Sequence, residues 1–230
     1  MKKISIIING PGISEVKSLY GQASDWIQKA LSQYDDVSIN VVKGYEMEHL
    51  DANEDSAWII TGSAHSVYDK LHWIDYLKEK LFEVKKVKKP VLGICFGHQL
   101  IADTFGGKVV LNKKGWELGS CRVDLLESSR DCPLFSGLSK NINVYQSHQD
   151  VVIKMPEKSV LLAENEMGIQ SFIYNDSFYG VQFHPEFTKT VMEKYLSIRF
   201  KKGIINKISE VKECKYGTVV LNNFVDNIVK

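Results

Sequence analysis

The chain has 230 residues, enough to bury a full core, with 44% apolar and 25% charged side chains and a net charge of +1. That balance is ordinary for a globular protein and gives no global field, so neither nucleic acid nor a membrane surface is expected as a partner. The four cysteines, Cys95, Cys121, Cys132 and Cys214, are irregularly spaced and include no CxxC pair. Such spacing argues against a structural zinc site and a disulfide framework, and no metal or cofactor is expected.

In chain order, "MKKISIIING" begins like a leader, but the apolar run Ile4–Ile8 is short and ends in the turn "NGPG". No run approaches the roughly 18 apolar residues of a membrane span, and a cytoplasmic protein is expected. The same run reads as a buried strand. Residues 14–32 place Val16, Leu19, Tyr20, Ala23, Ile27 and Leu31 at helical spacing, which predicts one helix with Ser14 as its N-cap. "VSINVV" and "SAWIIT" predict two more strands, the second running into the Gly/Ser loop "TGSAHSVYD". Residues 71–88 predict an amphipathic helix, and Pro90 forbids its continuation. Its "KKVKK" reads as a solvated face at a helix C-terminus rather than a nucleic-acid patch. "VLGIC" predicts a fourth strand and "FGHQLIADTF" a helix ending at "GG".

From about Gly107 the segments near 118–126, 142–146, 151–153, 158–163, 169–174 and 178–183 are short and β-rich, which predicts an antiparallel or mixed extension of the sheet. Helix returns after "FHPEF", with a last helix in "TVVLNNFVDNIVK". Apolar strands alternating with helices predict an α/β class with a largely parallel sheet covered on both faces. A single domain over residues 1–230 is expected, its last stretch (196–230) a helical extension packed on the rest.

Chemistry concentrates at "GICFGHQL" (Gly93–Leu100). A strand, G-x-C-x-G and a helix in that order make a nucleophile elbow with cysteine at its tip. Gly93 and Gly97 relieve the crowding of such a turn, and the helix beginning at Phe96 points its N-terminal dipole at the sulfur, favouring thiolate. The competing reading of Cys95 is a buried structural thiol. A nucleophile needs a base and a group to orient that base. His49 and His72 lie in polar settings, His65 in the Gly/Ser loop, and His98 reads as a packing residue. His184 directly follows the apolar "YGVQF", at a strand end where ligands of α/β sheets collect, and Glu186 lies two residues on across Pro185. Cys95, His184 and Glu186 are therefore the candidate catalytic triad.

With those motifs in view, the chain resembles the class I (triad) glutamine amidotransferase family, in the branch of the GMP-synthetase glutaminases. "GICFGHQLIADTFGGKV" is similar to its nucleophile motif, "GVQFHPE" to its His/Glu motif, "TGSAHSVYD" to its oxyanion loop and "YQSHQDVV" to its glutamine-pocket segment, together covering residues 4–195. The resemblance implies a flavodoxin-like fold and attack by Cys95 on the γ-carboxamide of glutamine. It implies backbone amides of Gly62 and Phe96 as the oxyanion hole, Gln99 as a substrate contact, and the backbone of Ser147, His148 and Gln149 as the holder of the substrate's α-amino and α-carboxylate groups. Trp116 and Glu117 in "GWELG" resemble a family signature but are not placed in the site. Two departures bear on substrate: little chain follows the motifs, and Gln149 stands where this branch has glycine in S-H-G-D. Four functions compete: a glutaminase passing ammonia to a partner synthetase, an independent γ-glutamyl peptide hydrolase, a non-catalytic binding relative, and a redox sensor built on Cys95.

Overall fold

In the computed structural model, which describes residues 1–230, nine strands make one mixed sheet and two more form a separate ladder. In chain order the strands of the first half are β1 (Lys2–Ile8), β2 (Val37–Lys43), β3 (Ala57–Ile60), β4 (Val91–Ile94) and β5 (Lys108–Leu111). The second half adds β6 (Glu117–Leu125), β7 (Asn141–His148), β8 (Asp150–Lys154), β9 (Ser159–Asn165), β10 (Gly168–Tyr174) and β11 (Phe178–Val181). Strands β2, β1, β3, β4 and β11 lie side by side and parallel, and β10, β9, β6 and β7 continue the sheet antiparallel. This is the flavodoxin-like arrangement with its antiparallel extension. Strands β3, β4 and β11 are buried along their whole length, which is why they read as unbroken apolar runs.

The helices are α1 (Ser14–Tyr20), α2 (Ala23–Ala30), α3 (His72–Lys86), α4 (Phe96–Thr104), α5 (Lys189–Lys201) and α6 (Tyr216–Asn223). On one face of the sheet, Ile27 of α2 and Val220 and Leu221 of α6 join Ile4, Ile6 and Ile94 in a common core. On the other, Leu77 and Leu81 of α3 and Leu100 and Ile101 of α4 pack with Ile7, Ile60 and Val91. Residues after 196 thus contribute to the main core: Phe224 and Val225 are fully buried in it. No helix is long and apolar enough to cross a membrane.

The elements differ from the sequence reading in three places. The helix expected over 14–32 is two helices, because Gly21 turns out of α1 at φ 80° and Gln22 and Asp25 then form a capping box that starts α2. Ser14 is the first helical residue, and Ile13 occupies the N-cap position without a side-chain cap. Strand β5, "KVVL", is unforeseen, since it leaves the main sheet to pair antiparallel with β8.

Helix α4 crosses the sheet at unusually close range. A methyl group on Gly97 would stand 2.4 Å from the Ile60 carbonyl oxygen, and one on Gly93 would stand 2.5 Å from the Gly97 carbonyl. Both contacts are with backbone, so relief requires moving α4 or β3. Gly97→Ala is expected to lose about 2 kcal/mol or more of stability by overpacking. Thermal unfolding would register this as a fall in Tm of about 4 °C or more, and an unchanged Tm would contradict the close approach.

Candidate active site

Cys95 occupies the single residue between β4 and α4, at φ 51° and ψ −100°. A left-handed φ is costly for a residue with a side chain and persists where the surroundings hold it. Here they do: the Cys95 N–H donates to the Val181 carbonyl (2.9 Å) and the Cys95 carbonyl accepts from the Gln99 N–H (3.1 Å). Phe96 then opens α4, whose first N–H groups have no acceptor within the helix. The loop after β3 closes over this point. A methyl on Gly62 would come within 3.1 Å of His184 Cε1 and 3.9 Å of Cys95 Sγ. That loop is tied down by Asn9, whose amide donates to the Thr61 carbonyl (2.7 Å) and whose carbonyl accepts from Ser63 Oγ (2.7 Å).

His184 stands just beyond the end of β11, and its N–H donates to the Tyr145 carbonyl at 2.8 Å. Its Nδ1 lies 2.8 Å from Glu186 Oε1, which assigns the Nδ1 proton to the carboxylate and leaves Nε2 for the sulfur; Nε2 has no oxygen or nitrogen partner. Phe187 stacks on the imidazole, with ring centroids 4.0 Å apart and planes 17° from parallel. Burial by itself pulls the imidazolium down, but Glu186 and Cys95 together outweigh it and hold the ring up at about 10. The pair is therefore suited to keep a proton on His184 at neutral pH.

Cys95, His184 and Glu186 open on a cavity of about 280 Å³, and Gly62 and Ser147 line it with them. Gln99, His148 and Gln149, the other expected substrate contacts, are not among its lining residues. Gln99 is buried, donating to the Asp150 carbonyl (3.1 Å) and to Gln182 Oε1 (3.0 Å). The His148 ring lies between the Asp150 carbonyl and Glu117 Oε2, 2.9 Å from each. Gln149 sits in the turn joining β7 to β8, where its carbonyl accepts from Asn112 N–H (2.9 Å). The Phe96 ring packs beside Trp73.

His98 is completely buried against Phe172 and Gly180, and burial, then the nearby His148, push it down to about 3, so it stays neutral. His65 is exposed at the cavity rim, 3.2 Å from Asp69. His49 and His72 are on the surface.

Two features escaped the sequence reading. Glu117 is a buried hub that accepts from Gln170 Nε2 (2.9 Å) and Asn165 Nδ2 (2.7 Å) besides facing His148. Only the motif-like "GWELG" signalled it. Trp26, Tyr195 and Arg199 also line the cavity, brought there by α2 and α5 from positions with no local motif.

Comparison with known proteins matches residues 15–202 to the family described as "Glutamine amidotransferase class-I". Gamma-glutamyl peptidase 4 of Arabidopsis thaliana is 31% identical over 198 residues, covering 83% of this chain and 78% of that protein. The glutamine-hydrolyzing GMP synthase of Thermosipho melanesiensis is 34% identical over 212 residues, covering 86% of this chain but 35% of the synthase. Among solved structures, a glutamine amidotransferase from Thermotoga maritima superimposes with a TM-score of 0.80 at 22% identity, covering 100% of this chain and 98% of its own; at that identity the likeness is one of fold.

The geometry at His184 is testable by NMR titration. The wild-type ring is expected to stay charged through neutral pH, and Glu186→Gln to bind its proton about tenfold or more weakly. A wild-type ring titrating near the ordinary value of about 6.5 would contradict the pairing.

Proposed function

Because the chain belongs to the class-I glutamine amidotransferase family, we propose that it hydrolyses the γ-amide bond of glutamine or of a γ-glutamyl peptide through a thioester on Cys95. The observation that carries this reading is the Cys95 turn at φ 51°, held at the head of α4 beside the His184–Glu186 pair. A binding module has no use for a strained cysteine facing an oriented imidazole.

In the reading, Cys95 Sγ attacks the γ-carbonyl carbon, and the π electrons move to oxygen. The oxyanion lies toward the N–H groups of Gly62 and Phe96. Its collapse breaks the C–N bond, and the leaving nitrogen takes the proton from His184 Nε2. What remains is a γ-glutamyl thioester. His184 then draws a proton from water, hydroxide character builds on the oxygen attacking the thioester, and sulfur leaves as thiolate with release of glutamate. Glu186 keeps the imidazole in one tautomer and stabilises its charge through both steps.

Two versions differ in what leaves. The peptidase likeness, which spans most of that relative, supports an enzyme acting unaided on γ-glutamyl peptides. The GMP synthase likeness, which spans about a third of that protein, supports a glutaminase working with an ammonia-consuming partner. The purified chain is expected to release glutamate from a γ-glutamyl dipeptide or from glutamine, and Cys95→Ser to lose about a thousandfold or more. Release from the dipeptide assigns the first version, and weak release from glutamine alone the second. Equal release by Cys95→Ser would refute the reading. The kcat/KM profile should fall near pH 10 as His184 loses the proton it gives to the leaving nitrogen. A fall in activity centred near the ordinary imidazole value of about 6.5 would contradict a His184 that keeps its proton through neutral pH.

A further inference from the structure

Beside His184 the cavity wall continues onto α5. Phe187 stacks on His184, Tyr195 packs against Phe187 with ring centroids 5.0 Å apart, and Arg199 follows one helical turn further along α5. His184 must protonate the leaving amine, so whatever is attached to that amine extends along this side. Ammonia needs none of this space.

Arg199 is a charged group on this wall. It makes no ion pair and its buried Nε has no hydrogen-bond partner, while its guanidinium lies 4.1 Å from the centre of the Trp116 ring. Stacking on an aromatic face fixes the plane of the fork yet leaves its N–H groups unused. Lys17 of α1 adds a second cation to the cavity wall. Glu186 is the only carboxylate on that wall, and it is engaged with His184. An unpaired, partly desolvated guanidinium with no acid to meet it is suited to a carboxylate supplied by a ligand.

We propose that Arg199 receives the C-terminal carboxylate of the leaving half of a γ-glutamyl peptide, with Trp116 as its positioning residue, so that the site selects γ-glutamyl peptides over glutamine. This inference rests on the reading of Cys95 as the nucleophile for γ-glutamyl bonds. It also gives Trp116 a function, as the platform that aims the arginine.

The test compares γ-glutamylglycine with its C-terminal amide, two ligands that differ only at the carboxylate in question. Binding is measured by calorimetry in the Cys95→Ser protein, and kcat/KM in the Cys95-intact protein, each with Arg199 as Arg, Lys or Gln. The acid is expected to bind and react about tenfold or more better than the amide, through KM. Arg199→Gln should bring that ratio close to one, with Arg199→Lys between. Because the ratio is internal to each protein, a partial loss of folding does not imitate the effect. Trp116→Ala should lower the ratio and Trp116→Phe, which keeps an aromatic face, should restore it.

A ratio that survives Arg199→Gln, or an equal loss on acid and amide, would overturn the assignment, the second placing Arg199 on the γ-glutamyl half instead. Hydrolysis without discrimination sinks this inference alone. Discrimination in binding without any Cys95-dependent hydrolysis sinks the hydrolase reading alone, and binding of neither ligand refutes both.

Discussion

The Gly97 Cα passes so near the Ile60 carbonyl that a single added methyl would stand 2.4 Å from it. This close crossing of α4 over β3 and β4 is the constraint from which the site follows. With the helix pressed onto the sheet, one residue must turn the chain from strand to helix, and it takes a left-handed φ to do so. Its side chain is thereby lifted clear of the sheet edge, while the first N–H groups of the helix are aimed at the same point. Strain at one residue and overcrowding at two glycines are the cost of a sulfur presented beside ready-made donors. Strand β11, parallel to β4 in the sheet, ends alongside and carries His184 to the sulfur.

The second half of the molecule serves as a rigid wall for that junction. Strand β7 accepts the His184 N–H through Tyr145 and brings Ser147 to the cavity, and its register against β6 is fixed by buried polar groups. Glu117, opposite His148 on β6, gathers the His148 ring and the amides of Gln170 and Asn165, and Gln146 adds a further hydrogen bond to Gln170 (2.6 Å). A buried network of this kind is stable only when its members are satisfied together, which disfavours slippage of β6 against β7. At the other end, α6 packs so closely on the His-Pro-Glu turn that a methyl on Gly217 would meet the Pro185 backbone at 2.7 Å. Helix α6 therefore supports the turn that holds His184 and Glu186.

Local chemistry was legible in the sequence where the physics is local. The elbow is a five-residue pattern, and its glycines, cysteine and following helix are neighbours in the chain, so Cys95 and its surroundings could be read directly. His184 and Glu186 followed, because an apolar run ending in His-Pro-Glu marks the end of a buried strand. Features made by non-local pairing were hidden. Gly21 sits inside a periodic apolar stripe, so the break between α1 and α2 looked like continuous helix. The polar residues Gln146, Gln170 and Glu117 look like surface positions on short strands until the antiparallel ladder buries them against each other. The motif at 147–149 gave no sign that the His148 ring would be committed to Glu117 and the Asp150 carbonyl, partners brought to it by strand pairing and the turn into β8. Arg199 and Trp116 are 83 residues apart and meet only because α5 lies across the β6 end of the sheet.

The central claim is a covalent γ-glutamyl intermediate on Cys95, and the most direct test is partition of that intermediate between water and an added amine nucleophile. Hydroxylamine is added during turnover, and γ-glutamyl hydroxamate is measured against free glutamate for two substrates with different leaving groups. A common thioester predicts the same product ratio from both, at every hydroxylamine concentration, and no product of either kind from Cys95→Ser. Product ratios that depend on the leaving group, or hydrolysis with no hydroxamate formed, would mean that water attacks the substrate directly and would contradict the account.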